Sequence, residues 1–109
     1  MRWRVQFSDE VREWYLGLRP ADQAIADRIL ERLASQGNDL RMPHSRSLGA
    51  GLYELRFHCE NVARRITYVV DVERSVLTLT TFRKQRLNER AEILRARRAA
   101  RQRRSQEER

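Results

Sequence analysis

LYELRFHCENVARRITYVVDVERSVLTLTTFRKQRLNER, residues 52–90, is the stretch whose reading decides the fold. Successive side chains of a strand point to opposite faces. From 52 to 59 the apolar Tyr53, Leu55, Phe57 and Cys59 alternate with Leu52, Glu54, Arg56 and His58. The run 62–72 repeats the pattern, with Ile66, Tyr68, Val70 and Val72 as one set and Arg65, Thr67, Val69 and Asp71 as the other. Glu60-Asn61 between the two runs suits a tight turn. A third run follows Glu73-Arg74-Ser75. Strict alternation there puts Val76, Thr78, Thr80, Phe82 and Lys84 on one face and Leu77 and Leu79 on the other. If the leucines face the core, Thr80, Phe82 and Lys84 share a polar face with Glu54, Arg56 and Arg65. Three antiparallel strands with a basic surface are expected, ending in the cluster Phe82, Arg83, Lys84 and Arg86.

Before this stretch, Trp3, Val5 and Phe7 alternate with Arg2, Arg4 and Gln6, which predicts a short half-buried strand. Ser8 is a suitable helix N-cap, and Asp9 and Glu10 favour the first-turn dipole. Val11, Trp14, Tyr15 and Leu18 follow at helical spacing. Pro20 suits the first turn of a second helix, whose Ile25, Ala26, Ile29, Leu30 and Leu33 form one stripe until Gly37 ends it. The two helices are expected to form a hairpin against the sheet. Residues 38–51 are rich in turn formers and read as an exposed loop carrying His44, Ser45 and Arg46. Beyond the third strand, Asn88 is placed to cap a helix with a thin apolar stripe of Ala91, Ile93, Leu94, Ala96 and Ala100. Its end, 101–109, has no core to join and is expected to fray.

The expected architecture is thus α+β, in the order β-α-α-β-β-β-α. A small antiparallel-rich sheet carries the N-terminal helical hairpin on one face, and a basic helix closes the chain. At 109 residues and 40% hydrophobic content the chain suffices for one domain, 1–100, with 101–109 as a basic tail. The single cysteine, Cys59, excludes an internal disulfide and reads as a small buried hydrophobe. No apolar run approaches the roughly 20 residues needed to cross a bilayer, and the first residues lack a secretory apolar region. A cytoplasmic location is the expectation.

Charge is distributed unevenly. Residues 1–82 hold 12 Arg against 11 Asp plus Glu, a net of +1, whereas 83–109 hold 11 Lys plus Arg against 4 Glu, a net of +7. A basic segment of this kind attracts phosphate polyanions, an acidic protein surface or an anionic membrane. The apolar stripe beside it is too thin for stable membrane insertion, which leaves no membrane partner expected. Cys/His clusters and close carboxylate pairs with ligand spacing are absent from the sequence, so neither a metal nor a small-molecule cofactor is called for. Gly49 and Gly51 do not lead from a strand into a helix, as a nucleotide-binding glycine loop requires.

The loop and strand PHSRSLGAGLYELR, the segment ARRITYV and the terminal LTTFRKQRLNERAEILRARRA, in this order of elements, resemble the RelE/ParE superfamily of toxins. The similarity is greatest to the HigB-like, phage Gp49-like branch and covers nearly the whole chain. It implies a RelE-like single domain that serves as the toxin of a type II toxin–antitoxin pair. It further implies a metal-independent endoribonuclease that cuts mRNA in the ribosomal A site and so inhibits translation. The implied partners are mRNA, ribosomal RNA and a small helix-turn-helix antitoxin of the HigA-like kind. A ParE-like poison of DNA gyrase and a non-catalytic RNA- or antitoxin-binding module are the alternatives.

Cleavage through the neighbouring 2′-hydroxyl requires a base, positive charge on the transition state and an acid for the leaving 5′-oxygen. Arg56 and Arg65 match the family's ELR and YRI motifs and are assigned to the phosphate. Lys84 matches the first lysine of F-x-K-K, to stabilise charge or donate a proton; Arg83 and Arg86 beside it would favour proton release. Glu54 is either the base or an ion-pair partner of Arg56 or Arg65. Arg46, His58, Phe82, Arg83 and Arg86 are assigned to RNA binding, with Phe82 either stacking on a base or packing at a strand end. Thr80 stands where some relatives carry a histidine, and Lys84-Gln85 where others carry two lysines. His44 and His58 are therefore candidate substitutes in proton transfer.

Overall fold

The computed structural model describes residues 2–71 and 73–107. The chain runs β1 (Arg4–Gln6), α1 (Asp9–Leu16), α2 (Pro20–Gln36), a short 3-10 turn (Gly37–Asp39), β2 (Ser45–Gly49), β3 (Leu52–Cys59), β4 (Val62–Asp71), β5 (Ser75–Arg83) and α3 (Glu89–Glu107). The five strands form one sheet in the order β1-β5-β4-β3-β2. Only the β1–β5 pair is parallel; the others are antiparallel.

Local chemistry sets the helix ends as the sequence leads one to expect. The Ser8 hydroxyl accepts from the Val11 N–H, Pro20 stands in the first turn of α2, and Gly37 closes it at φ 52°. A Cβ on Gly37 would come within 2.2 Å of the Trp3 indole, so the site demands glycine for space as well as for φ. At the β3–β4 turn, Glu60 and Asn61 both take positive φ, the geometry that matches strand twist in a two-residue hairpin. Asp22 of α2 accepts from the Glu60 N–H at 3.1 Å and ties this hairpin to the helices.

One face of the sheet carries Leu55, Cys59, Ile66, Tyr68 and Val76, buried against Val11, Ala26, Ile29, Leu30 and Leu33 of the helical hairpin. The other carries Leu52 and Leu79 beneath Ala96 of α3, flanked by Leu48, Val69, Ile93, Ala99 and Ala100. Here the expected faces of β5 need correction. Register sets Val76 opposite Val70 and Thr78 opposite Tyr68, on the hairpin side, and Leu79 packs under α3. Between the pairs Ile66–Thr81 and Tyr68–Thr78, one residue of β4, Thr67, faces two of β5, Leu79 and Thr80, which is a β-bulge. The extra residue resets the alternation, so Phe82 still lands opposite Arg65. Thr80 comes to face Thr67, hydroxyl to hydroxyl at 2.6 Å.

A second correction concerns 38–51, expected as loop. Residues Ser45–Gly49 form the edge strand β2, paired with β3 from Leu52 to Leu55. Nothing in SRSLG favours a strand locally; tertiary partners make it one. The Ser45 hydroxyl bonds the buried Tyr68 hydroxyl, and Arg97 of α3 donates to the carbonyls of Leu48 at 2.7 Å and Gly49 at 3.3 Å.

β1 covers only Ser75 to Leu77 of β5, and the rest of that edge is satisfied by side chains. Ser8 Oγ donates to the Leu79 carbonyl, and the Thr81 N–H donates to Glu10 at 2.7 Å. Arg95 of α3 donates to the Thr81 carbonyl and pairs with both Glu10 and Glu92. The first turn of α1 thus takes the place of a strand, which a partly buried ladder edge requires. Those carboxylates, Glu92 and then Glu10, hold Arg95 above the usual arginine range.

α3 docks through the thin stripe, but it is longer than expected: the helix continues through 101–107, and Arg103 donates to Gln6 Oε1 at 3.0 Å. Residues 108–109 of the expected frayed tail lie outside the described residues, as does Val72, assigned above to the apolar set of the second run. Asn88 precedes α3, but its side chain faces back, accepting from the Gln85 N–H and donating to the Arg83 carbonyl. It closes the turn after β5. Among the described residues, no helix is long and apolar enough to cross a membrane.

Candidate active site

α3 covers only the Leu52–Leu79 end of its face. At the other end, cross-strand rows bring the predicted residues together. Arg56 of β3 lies opposite Arg65 of β4, which lies opposite Phe82 of β5. One step along, His58 pairs with Ala63, and the Lys84 N–H donates to the Ala63 carbonyl at 2.8 Å, which extends the ladder past the end of β5. His58 and Lys84 therefore flank the arginine row from two strands apart, roughly 10 Å between backbones at ordinary strand spacing. Both side chains are exposed.

Two arginines directly opposite on neighbouring strands repel each other. Arg65 is 6% exposed, and the nearest compensation is Glu54, itself 2% exposed, at 3.6 Å from Arg65 Nε. A second anchor is the Arg64 carbonyl, which accepts from Arg65 at 3.1 Å. Burial, and then Arg56, pull the Arg65 guanidinium below the usual arginine pKa. Arg56 is half-buried, and among the described residues its side chain donates to the Met42 sulfur at 3.2 Å. One carboxylate for two arginines leaves a surplus positive charge fixed on a rigid strand pair. The carboxylate of Glu54 faces Arg65, which is the ion-pair alternative of the two assigned to it.

The remaining predicted residues spread around this row. Arg46 of β2 stands opposite Glu54 and pairs with Glu89 at the start of α3, at 3.3 Å. Arg83 is exposed opposite Arg64, and Arg86 is exposed in the turn that follows. Phe82 retains 7% of its surface, which leaves little ring for a base to stack on. Thr80 is buried by its bond to Thr67 and offers no free hydroxyl. The His44 carbonyl accepts from the Arg56 N–H at 2.8 Å, and His44 lines a cleft beside the β3 edge together with Arg56, His58 and Arg65. Cys59 is buried, its thiol pushed up by burial, and takes no part in the site.

Sequence reasoning did not single out Arg28 and Arg32, which line the same cleft from α2. Their i, i+4 spacing on the helix was the available signal. Among the described residues no group of three His, Cys, Asp or Glu side chains is arranged to hold a metal ion.

The sheet order, the helical hairpin on one face and the C-terminal helix on the other define a RelE-like toxin fold. Solved structures agree. One chain of the toxin–antitoxin complex RelBE2 from Mycobacterium tuberculosis is similar at TM-score 0.58 and 19% identity, over 77% of this chain and 100% of that one. The free toxin RelE of E. coli, in a doubly substituted form, is similar at TM-score 0.63 and 13% identity, over 94% of this chain and 98% of that one. At such identities the likeness is one of fold. No curated protein matches the sequence. The family described as phage derived protein Gp49-like (DUF891) matches residues 13–104, and the chain belongs to that family.

Proposed function

We propose that this chain is the toxin of a type II toxin–antitoxin pair and an endoribonuclease that cuts mRNA on the ribosome. The observation that carries the reading is the unbalanced Arg56–Arg65 row flanked by exposed His58 and Lys84. The arginines hold the scissile phosphate and stabilise the charge that gathers on its oxygens, as preorganised donors do. His58 takes the proton of the 2′-hydroxyl, whose oxygen attacks phosphorus. Lys84 supplies a proton to the departing 5′-oxygen, and the 3′ fragment leaves while a cyclic phosphate remains on the other. Glu54 positions Arg65 and does not itself exchange protons with substrate. The RelBE2 likeness supports an antitoxin partner, and a helix-turn-helix antitoxin that masks the basic face fits the charge.

The test is primer extension on cellular mRNAs after brief induction of the wild-type chain and of an Arg56→Ala, Lys84→Ala variant whose folding is checked. Discrete cuts within translated regions, lost in the folded variant, are expected. Growth arrest with intact transcripts would overturn the nuclease reading in favour of a gyrase poison. Neither arrest nor cuts would leave a binding module.

A further inference from the structure

The cleft beside the free edge of β3 extends the site in a direction that no motif of the sequence marks. β2 pairs with β3 only as far as Leu55, and the His44 carbonyl takes the Arg56 N–H, so the edge beyond Arg56, at Phe57 and His58, has no strand beside it. α2 passes beside this edge and with it lines an open cleft of about 500 Å³. That is within the ~300–1,000 Å³ usual for ligand clefts. Its rim is basic: Arg28 and Arg32 come from α2, His44 from the preceding turn, and Arg56, His58 and Arg65 from the sheet. Its floor is apolar, built from Ile25, Ile29 and Phe57, with the exposed Pro43 beside them. Among the described residues no acidic side chain lines it.

The acids beside these arginines on α2, which share a neighbouring surface depression with them, have other partners. Asp27 and Glu31, the acids nearest in sequence to Arg28 and Arg32, are engaged elsewhere: Asp27 accepts from the Tyr15 hydroxyl at 2.6 Å, and Glu31 pairs with Arg2. Arg28 and Arg32 are exposed, and neither makes an ion pair among the described residues. Two unpaired guanidiniums one helical turn apart, over an apolar floor, suit a chain of phosphates with a base between them. An acidic peptide would satisfy the charges but has no planar group for the floor.

We infer that this cleft is a second binding site for single-stranded RNA, in which Arg28 and Arg32 hold the phosphates flanking the scissile one and a base lies on Phe57 and the isoleucines. The inference rests on the nuclease reading for its ligand. Arg56 and Arg65 belong to both places, so the strand passes from the arginine row over the β3 edge to α2. Arg28 and Arg32 are binding residues here, not catalytic ones.

The test uses the full chain and a 2′-O-methylated single-stranded RNA decamer, which cannot be cut by 2′-oxygen attack. Its affinity is followed by fluorescence anisotropy across a salt series. In the Arg28→Ala, Arg32→Ala variant affinity should fall at least about 10-fold. The slope of log affinity against log salt should shrink by about 1.4, two contacts at ~0.7 each. Arg90→Ala, Arg98→Ala removes the same charge from exposed positions of α3 and should cost markedly less. Equal losses in the two variants, or none in the first, would overturn the site. So would a deca-glutamate peptide whose binding depends on Arg28 and Arg32 while RNA binding does not. If cellular transcripts stay intact but the decamer still needs Arg28 and Arg32, the nuclease reading falls and the cleft stands. Cuts in cells with an indifferent decamer mean the reverse.

Discussion

The two faces of the sheet differ in what their side chains are asked to do. Beneath the helical hairpin, twelve buried residues form a continuous apolar cluster, with Leu55 and Ile66 fully enclosed. Beneath α3 the cluster is three residues, Leu52, Leu79 and Ala96, and the face then gives way to Glu54, Arg56, Arg65 and the Thr67–Thr80 pair. Stability is concentrated on the first face, since apolar burial supplies most of the driving force for folding. The second face also carries charges that repel or need partners. A site for a polyanion has that requirement: surplus charge must be held rigidly, and something else must keep the chain folded.

Substitutions can break this contrast, and the largest effect is expected where charge is buried. Glu54→Ala leaves Arg65 enclosed with no carboxylate, and should lower unfolding free energy by about 3–5 kcal/mol in urea titration. Replacing both partners, Glu54→Leu with Arg65→Met, should recover most of that loss while leaving RNA cleavage abolished. If the double variant stayed as unstable as the single, the pair would be a packing element and not a charge site.

Leu55→Ala on the hairpin face should cost about 2–5 kcal/mol through lost burial and the cavity left behind. The same experiment with Leu79→Ala, where the cluster is small and α3 can settle, should sit at or below the lower end of that range. Equal losses would erase the distinction between the faces.

Ser8→Ala removes the α1 cap and the bond to the Leu79 carbonyl together, and about 1–2 kcal/mol is expected by denaturation.

Arg56→Ala and Lys84→Ala should each change stability by no more than about 0.5 kcal/mol, as side chains with few native partners. Each should lower RNA cleavage on purified ribosomes by roughly 10²-fold or more, the scale for losing one transition-state donor. Cys59 reports on the closure of the hairpin face, where it is 1% exposed. Burial raises its pKa, so the reactive thiolate is scarce in the folded state. Labelling by an aromatic disulfide at pH 8 should be slow until urea unfolds the chain.

The architecture was legible wherever one residue's neighbours in sequence are also its neighbours in space. Ser8, Pro20 and Gly37 mark helix ends because capping is local, and Glu60-Asn61 marks the hairpin because two positive φ values are settled within the turn. The co-location of Glu54, Arg56 and Arg65 was readable from alternation alone, since β3 and β4 pair without interruption. β2 was not readable: SRSLG is a strand only because Tyr68 and Arg97 bind it to the β3 edge. Nor was the bulge in β5, because a single extra residue leaves the hydrophobic pattern of VLTLT intact while bringing Thr80 and Phe82 onto the same face as Leu79.

By itself, then, the sequence determined the helical hairpin, three of the long strands, the basic C-terminal helix and which arginines stand side by side. Short-range periodicity and capping carry that information. Tertiary structure alone decided that Glu54 is closed off against Arg65, that Phe82 is covered, that Arg95 binds the outer edge of β5 to α1, and that Arg28 and Arg32 overlook the β3 edge. Each of these depends on a distance between elements far apart in the chain, and such a distance is fixed only when the two faces of the sheet are packed.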